Sequence, residues 1–121
     1  MESCSGHLTN LRERLTRRFD VDFDVQRSNL AWCLFHRLCP EIEIEIHGFD
    51  NGGEHKKNGR VYINGTRPWV NIARLDAHSD EALYDTLDFL FSLPLPALRA
   101  VREEAVHGSV SSKARPHGTD R

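Results

Sequence analysis

The sequence contains two short runs in which every second residue is acidic and the residues between them are apolar. Their acidic members are Asp20, Asp22, Asp24, Glu41, Glu43 and Glu45. Residues two apart in a β-strand point to the same face, so each run predicts a strand with three carboxylates on one side. Like charges on neighbouring strands cost a few tenths to about 1 kcal/mol per pair, so selection for stability alone would avoid this arrangement. We therefore interpret these six residues as a candidate surface for a basic partner.

The charge of the whole chain is divided into blocks of opposite sign, although the formal net charge is only −2. Residues 19–50 carry seven acidic residues and two arginines, and residues 76–95 carry five acidic residues and no lysine or arginine. Complementary charge speeds association, and nucleic-acid-binding proteins present basic surfaces of this kind. The pattern predicts a non-catalytic inhibitor of the immunity-protein or phage anti-defence type, in a bacterial or phage setting. Its partner would be a basic protein such as a nuclease or another nucleic-acid-binding protein.

The same alternation also has a purely structural explanation. A solvated acidic face discourages edge-to-edge aggregation of sheets. Arg60, Tyr62 and Asn64 would share that face with the glutamates if their strands pair. Trp69 favours the binding interpretation, because outward-facing tryptophans are frequent anchors at interfaces. Its alternative position is packed over the preceding proline or under the loop at residues 48–59.

Metal-binding and catalytic chemistry have weaker support. The seven histidines form no HxH or HExxH motif. The best local set of metal-ligating side chains brackets a glycine-rich loop and comprises His47, Asp50, Glu54 and His55. This set is the alternative interpretation, a small metal-binding domain or enzyme with mixed nitrogen and oxygen coordination. Because no nucleophile elbow or phosphate-binding glycine motif is present, we predict a protein that is not an enzyme and uses no cofactor.

The cysteines and the N-terminal residues bear on the compartment. Cys4, Cys33 and Cys39 have neither metal-binding nor redox spacing, so we interpret them as reduced structural thiols, with Cys33 in the core. The first residues lack the order of a signal peptide, and no apolar stretch approaches the ~20 residues of a membrane span. These features predict a cytoplasmic protein.

The elements that position these residues follow from the hydrophobic periodicity. The first is a helix with an apolar stripe formed by Leu8, Leu11, Leu15 and Phe19. The others are a strand over 19–25, a short helix over 30–38, strands over 41–46, 60–63 and 69–75, a helix after Ser79, and a helix from Pro96 to about Val106. The two strands of the predicted hairpin are joined through Asn64–Pro68.

These elements predict an α+β fold in which a small antiparallel sheet of about four strands packs against helices. The chain has 121 residues, the usual size of one domain. We assign residues 1–108 to that single domain and residues 109–121 to a disordered C-terminal tail. One side of the sheet would meet the helices and the other would meet water or a partner. A homodimer formed through edge strands is a further candidate assembly.

Overall fold

The computed structural model describes residues 6–28, 31–50 and 58–114. Its elements in chain order are α1 (Gly6–Phe19), β1 (Asp24–Ser28), β2 (Ala31–Cys39), β3 (Ile42–His47), β4 (Arg60–Thr66), β5 (Trp69–Asp76), α2 (Asp80–Ser92) and α3 (Leu95–Ala114). The strands form one antiparallel sheet in the order β1-β2-β3-β4-β5, so each strand pairs with the next one along the chain. The predicted single α+β domain is confirmed, with five strands where about four were expected.

The central strand β3 shows why the sheet has one buried face. Ile42, Ile44 and Ile46 are fully buried, whereas the residues between them are only half-buried. The leucines of the helices belong to the same core and are Leu8, Leu11, Leu15, Leu83, Leu87, Leu90 and Leu98. Burying one such side chain stabilises the fold by about 1.5–3 kcal/mol, so the isoleucine side of the sheet attracts the helices. We call the opposite side, which no helix covers within the described residues, the open face.

Strand β2 corrects the prediction of a short helix over residues 30–38. Ala31–Cys39 pairs with β1 on one side and with β3 on the other. Leu34 faces the helices, whereas Cys33 and Phe35 face the open side. The strand lies inside the sheet and carries apolar residues on both faces, so its sequence lacks the alternation of a half-buried strand. The spacing of its apolar residues resembles that of a helix. Pairing with its neighbours, which are distant along the chain, overrides the local pattern.

The connection between α1 and β1 corrects the strand that was predicted to begin at Phe19. Phe19 is the last residue of α1, and Asp20 has a left-handed backbone with a φ of 57°. The N–H of Asp20 donates a hydrogen bond to the Thr16 carbonyl at 2.8 Å. Aspartate tolerates this conformation better than most residues, and here it ends the helix. The strand therefore begins at Asp24, so Asp20, Asp22 and Asp24 do not lie along one strand.

Strands β4 and β5 form the predicted hairpin, but the turn is shorter than predicted. Thr66 pairs with Trp69, and the turn consists of Arg67 and Pro68, whose peptide bond is cis. This arrangement is a type VI turn. Asn64, which was predicted to begin the turn, is part of β4.

The two C-terminal helices occupy the predicted segments. Pro94 lies between α2 and α3, and α3 continues through Ala114 where the prediction ended it near Val106 at Gly108. A glycine inside a helix costs only about 1 kcal/mol, so it does not have to end one. Residues 115–121 of the predicted tail lie outside the described residues. In the part of the chain that the structure describes, no helix is both long and apolar enough to cross a membrane.

Ser79 caps α2 as predicted, because its hydroxyl accepts a hydrogen bond from the N–H of Ala82 at 3.0 Å. We expect Ser79→Ala to lower the free energy of unfolding by about 1 kcal/mol. Ser92→Ala is the control, since this exposed hydroxyl donates to the Phe89 carbonyl at the other end of the helix. Urea denaturation followed by circular dichroism measures both variants. Equal losses would show that the cap has no special role.

Candidate functional site

The open face presents side chains from all five strands in rows that follow the strand register. The rows are Arg37, Glu43, Asn64 and Asn71, then Asp24, Phe35, Glu45, Tyr62 and Arg74, then Gln26, Cys33, His47, Arg60 and Asp76. Paired strands lie about 4.8 Å apart, so neighbours within a row are close enough to interact. The pairing of the basic hairpin with the glutamate strand, which the sequence left open, is therefore present.

Two of the predicted glutamates on this face have partners within the chain. Glu43 Oε1 is 3.7 Å from Arg37 Nη2 on the neighbouring strand. Glu45 Oε1 accepts a hydrogen bond from Asn64 Nδ2 at 3.0 Å, and its other oxygen contacts His47. These two carboxylates, which were predicted to contact a basic partner, thus have partners within the chain.

Glu41 lies just before β3 and differs from Glu43 in its surroundings. The Cys39 thiol donates a hydrogen bond to Glu41 Oε1 at 3.3 Å, and Arg99 Nε is 3.5 Å from the same oxygen. The thiol hydrogen bond, with a smaller contribution from Arg99, lowers the pKa of Glu41. Burial between strands raises the pKa of Glu43, although Arg37 acts in the opposite direction.

The two pKa shifts predict opposite effects of neutral substitutions on stability. A carboxylate with a lowered pKa stabilises the fold above its unfolded pKa and loses that contribution as the pH falls through the folded value, and a raised pKa has the reverse sign. At about pH 7 we expect Glu41→Gln to lower the melting temperature and Glu43→Gln to raise it. Both differences should vanish at about pH 2, where both carboxyls are protonated even though the pKa of Glu41 is lowered. Thermal unfolding at the two pH values tests this, and shifts of the same sign at neutral pH would contradict it.

The three predicted aspartates have a different environment. Asp20, Asp22 and Asp24 are exposed, and within the described residues their carboxylates have no hydrogen bond or ion pair. Asp22 and Asp24 line an open groove of about 630 Å³ between α1 and the start of β1, which Arg12 and Arg17 also line. Among the predicted acidic residues, these three therefore keep carboxylates that are free to contact another molecule.

Trp69 lies at the opposite edge of the sheet, beside the β4–β5 turn. Its side chain is 66% exposed. Of the two positions that the sequence left open for Trp69, outward-facing or packed over Pro68 or the neighbouring loop, the exposed one is present, while its role in binding is still a prediction.

A cluster that the sequence analysis missed lies on the open face and consists of Cys33, Glu45 and His47. Cys33 Sγ is 3.2 Å from His47 Nδ1, and His47 Nε2 forms a hydrogen bond with Glu45 Oε2. Because an ionised carboxylate can only accept, Nε2 carries the proton of this contact. Cys33 Sγ is also 3.5 Å from Nε2, so the sulfur lies over the imidazole ring and not in line with one nitrogen. Tyr62 packs edge-on against the imidazole with ring centroids 5.1 Å apart.

The same cluster has the residue types of a thiol–imidazole–carboxylate nucleophile, but its environment opposes that chemistry. Cys33 is fully buried. Burial, followed by the charges of Glu45 and Asp50, raises the pKa of the Cys33 thiol to about 12. Nucleophilic cysteines need accessible thiolate and a lowered pKa. The three side chains are, however, all of types that coordinate transition metals.

The loop predicted as the alternative metal site is only partly described. His47 and Asp50 line an open cavity of about 280 Å³ together with Arg60 and Asn58. Glu54 and His55 lie outside the described residues. The structure thus brings His47 together with Cys33 and Glu45, residues that the sequence analysis assigned to the core and to the acidic surface.

Comparisons with known proteins provide no relative from which a function could be inferred, so the functional proposal depends on the geometry. No protein-family model matches the chain, and neither the curated proteins nor the solved structures contain a significant match.

Proposed function

We propose that this protein is a non-catalytic binding protein that docks a partner with a basic surface on the open face and the adjoining α1–β1 connection. The observation that carries this proposal is a five-stranded sheet with one face on which none of the described helices packs. An exposed tryptophan, Trp69, lies at one edge of this side. At the other edge lie the α1–β1 connection and the start of β1, where the carboxylates of Asp20, Asp22 and Asp24 have no hydrogen bond or ion pair within the described residues.

The dimensions of the sheet suit a single partner. Five strands at a spacing of about 4.8 Å span roughly 19 Å from β1 to β5. A stable interface buries about 800 Å² on each side, so one partner surface can reach from the aspartates to Trp69. Phe35 and Tyr62, both half-buried, lie between these edges and add aromatic surface to the middle.

The distribution of charge favours a basic partner over an acidic one. Arg37 is close to Glu43, and Arg74 Nε is 3.9 Å from Asp76 Oδ1, so these cations already have acidic neighbours. Arg12 and Arg17 line the groove beside Asp22 and Asp24, but the carboxylates of the three aspartates form no ion pair within the described residues. A partner's lysines or arginines would therefore gain ion pairs there without breaking internal ones. Such complementarity raises association rates and specificity. Because nucleic-acid-binding proteins carry suitable basic surfaces, we propose a nuclease or another protein of that class as the partner, blocked by occlusion.

Affinity capture with the full chain, followed by titration calorimetry with the purified partner, tests the docking surface. Trp69→Ala should weaken binding at least about thirtyfold, the effect of losing an interface anchor. Phe89→Ala is the matched control, because this aromatic side chain is 58% exposed on α2 and faces away from the sheet. Equal affinities of the Trp69 variant and the unmodified protein would remove the open face as the docking surface.

A second comparison tests the acidic part of the proposal. The triple variant Asp20→Asn, Asp22→Asn, Asp24→Asn should weaken binding at low salt and flatten the dependence of affinity on ionic strength. The control variant removes the same number of charges from exposed helix positions by Glu81→Gln, Asp85→Asn and Glu104→Gln. If both triple variants change the affinity equally, the aspartates do not form a specific contact.

A further inference from the structure

Three different ligand atoms converge on the open face, and each comes from a strand inside the sheet. The Cys33 sulfur, a His47 nitrogen and a Glu45 carboxylate oxygen all lie within 4.8 Å of one another. Thiolate, imidazole and carboxylate are the three ligand types that Zn²⁺ prefers in proteins. We propose that Cys33, Glu45 and His47 form a Zn²⁺ site.

One distance within the cluster is already close to that between two ligands of a tetrahedral zinc ion. With Zn–S near 2.3 Å and Zn–N or Zn–O near 2.1 Å, the ligand atoms of such an ion are roughly 3.3–3.6 Å apart. His47 Nε2 is 3.5 Å from Cys33 Sγ and is hydrogen-bonded to Glu45 Oε2. Zn²⁺ would replace the proton between Nε2 and Oε2. Rotation of the imidazole and of the Glu45 carboxylate would separate these two atoms and turn Nε2 toward Cys33.

The residues around the cluster already orient one of its ligands. Asn64 is 1% exposed, and its Nδ2 donates to Glu45 Oε1, which leaves Oε2 directed to His47. Asn71 Nδ2 in turn donates to Asn64 Oδ1 at 3.0 Å. Hydrogen bonds of this kind to a ligating carboxylate are typical of metal sites, because they fix the orientation of the ligand.

The surroundings also provide space for a fourth ligand. The cavity of about 280 Å³ adjoins the cluster at His47, and one acidic and one basic side chain, Asp50 and Arg60, line it. Three protein ligands with one open position are characteristic of zinc sites that bind water or a substrate group. Burial disfavours the charged thiolate of Cys33 in the free protein. A bound Zn²⁺ would offset this cost, because a thiol loses its proton when it coordinates the ion.

Cobalt titration of the reduced full-length protein, purified in a chelator and then desalted, tests the site directly. Co²⁺ substitutes for Zn²⁺ and reports its own ligands. We expect one equivalent of Co²⁺ to produce the visible absorption of a tetrahedral complex and a thiolate-to-cobalt charge-transfer band in the near ultraviolet. One equivalent of Zn²⁺ should displace it and raise the melting temperature. Absence of the charge-transfer band would overturn the proposal.

Two variants test the ligands, and two cysteine variants are controls. Cys33→Ser should abolish the charge-transfer band, whereas Cys39→Ser and Cys4→Ser should retain it. Glu45→Gln keeps an oxygen that can accept from Asn64 but loses the charge, and it should weaken Co²⁺ binding by at least about tenfold. Circular dichroism establishes that each variant is folded. If Cys33→Ser does not fold, Glu45→Gln decides, and an unchanged affinity in that variant overturns the site. Persistence of the band in a folded Cys33→Ser protein overturns it equally.

Discussion

Replacing Ile44 with alanine is expected to lower the free energy of unfolding by about 3–4 kcal/mol, within the usual range for truncating a buried isoleucine. Ile44 is fully buried in the central strand, opposite Ile63 on β4, and belongs to the core shared with the helices. The variant removes apolar contacts from the covered side of the sheet and leaves the open face unchanged. Urea denaturation followed by circular dichroism measures the loss.

Val101→Ala is the control for this prediction. Val101 is 46% exposed on α3, so shortening it should change the free energy of unfolding by no more than about 0.5 kcal/mol. A loss below about 1 kcal/mol for Ile44→Ala would mean that the isoleucine side of β3 is not the side the helices cover. The assignment of the open face would then be reversed.

Gly48→Ala is expected to cost at least about 2 kcal/mol for a different reason, backbone geometry. Gly48 follows β3 directly and has a φ of +84°, a region that side chains with a Cβ seldom adopt. A Cβ built there would lie 2.3 Å from the Asn58 carbonyl oxygen and 2.4 Å from its carbon. Neither backbone atom can move away as a flexible side chain would, so the segments leading from β3 and into β4 must shift.

The same change at Gly6 is the matched control, because a Cβ at that position meets nothing within 4 Å. Gly6→Ala should leave the stability unchanged or raise it slightly, since alanine favours the helix. Thermal unfolding of the two variants side by side gives the comparison. A Gly48→Ala protein as stable as Gly6→Ala would contradict the close approach of Gly48 and Asn58.

The parts of the fold that the sequence predicts well are those in which local pattern and tertiary contacts agree. In β3 every second residue is an isoleucine, and a shift by one position would expose all of them, so the pattern allows one orientation only. In α2 the Ser79 cap and the leucine stripe indicate the same start and the same buried face. These elements establish the α+β class and the side of the sheet that carries Glu43 and Glu45.

The parts that the sequence does not predict depend on contacts between distant residues. β2 has apolar side chains on both faces because it lies between two strands, and nothing local separates it from a short helix. Its assignment as a helix also concealed the pairing that places Cys33 beside His47. Two of its three residues could have been grouped from the sequence, because Glu45 and His47 are two residues apart on a strand with regular alternation and must share a face. The position of Cys33 beside them depends on the register of β2.

The acidic surface was also predicted only in part. Alternation correctly predicted that Glu43 and Glu45 face away from the core, and strand pairing offered Asn64 as a neighbour. The contacts with Arg37 and His47 were not predicted. Asp20 was predicted on a strand, yet its left-handed conformation ends α1. The aspartates nevertheless retain exposed carboxylates, which moves the centre of the proposed acidic contact from the middle of the sheet to its β1 edge.

Fluorine NMR of the chain labelled with fluorotryptophan tests most directly whether the open face is the docking surface. The two tryptophans, Trp32 and Trp69, give two signals, and a change of solvent from water to deuterium oxide shifts the signal of an exposed indole more than that of a buried one. In the free protein we expect the larger solvent shift for Trp69, because Trp32 packs against the core. Saturation with the captured, unlabelled partner should suppress the solvent shift of Trp69 and leave that of Trp32 unchanged. A Trp69 signal with the same solvent shift in the saturated complex would show that the partner binds elsewhere.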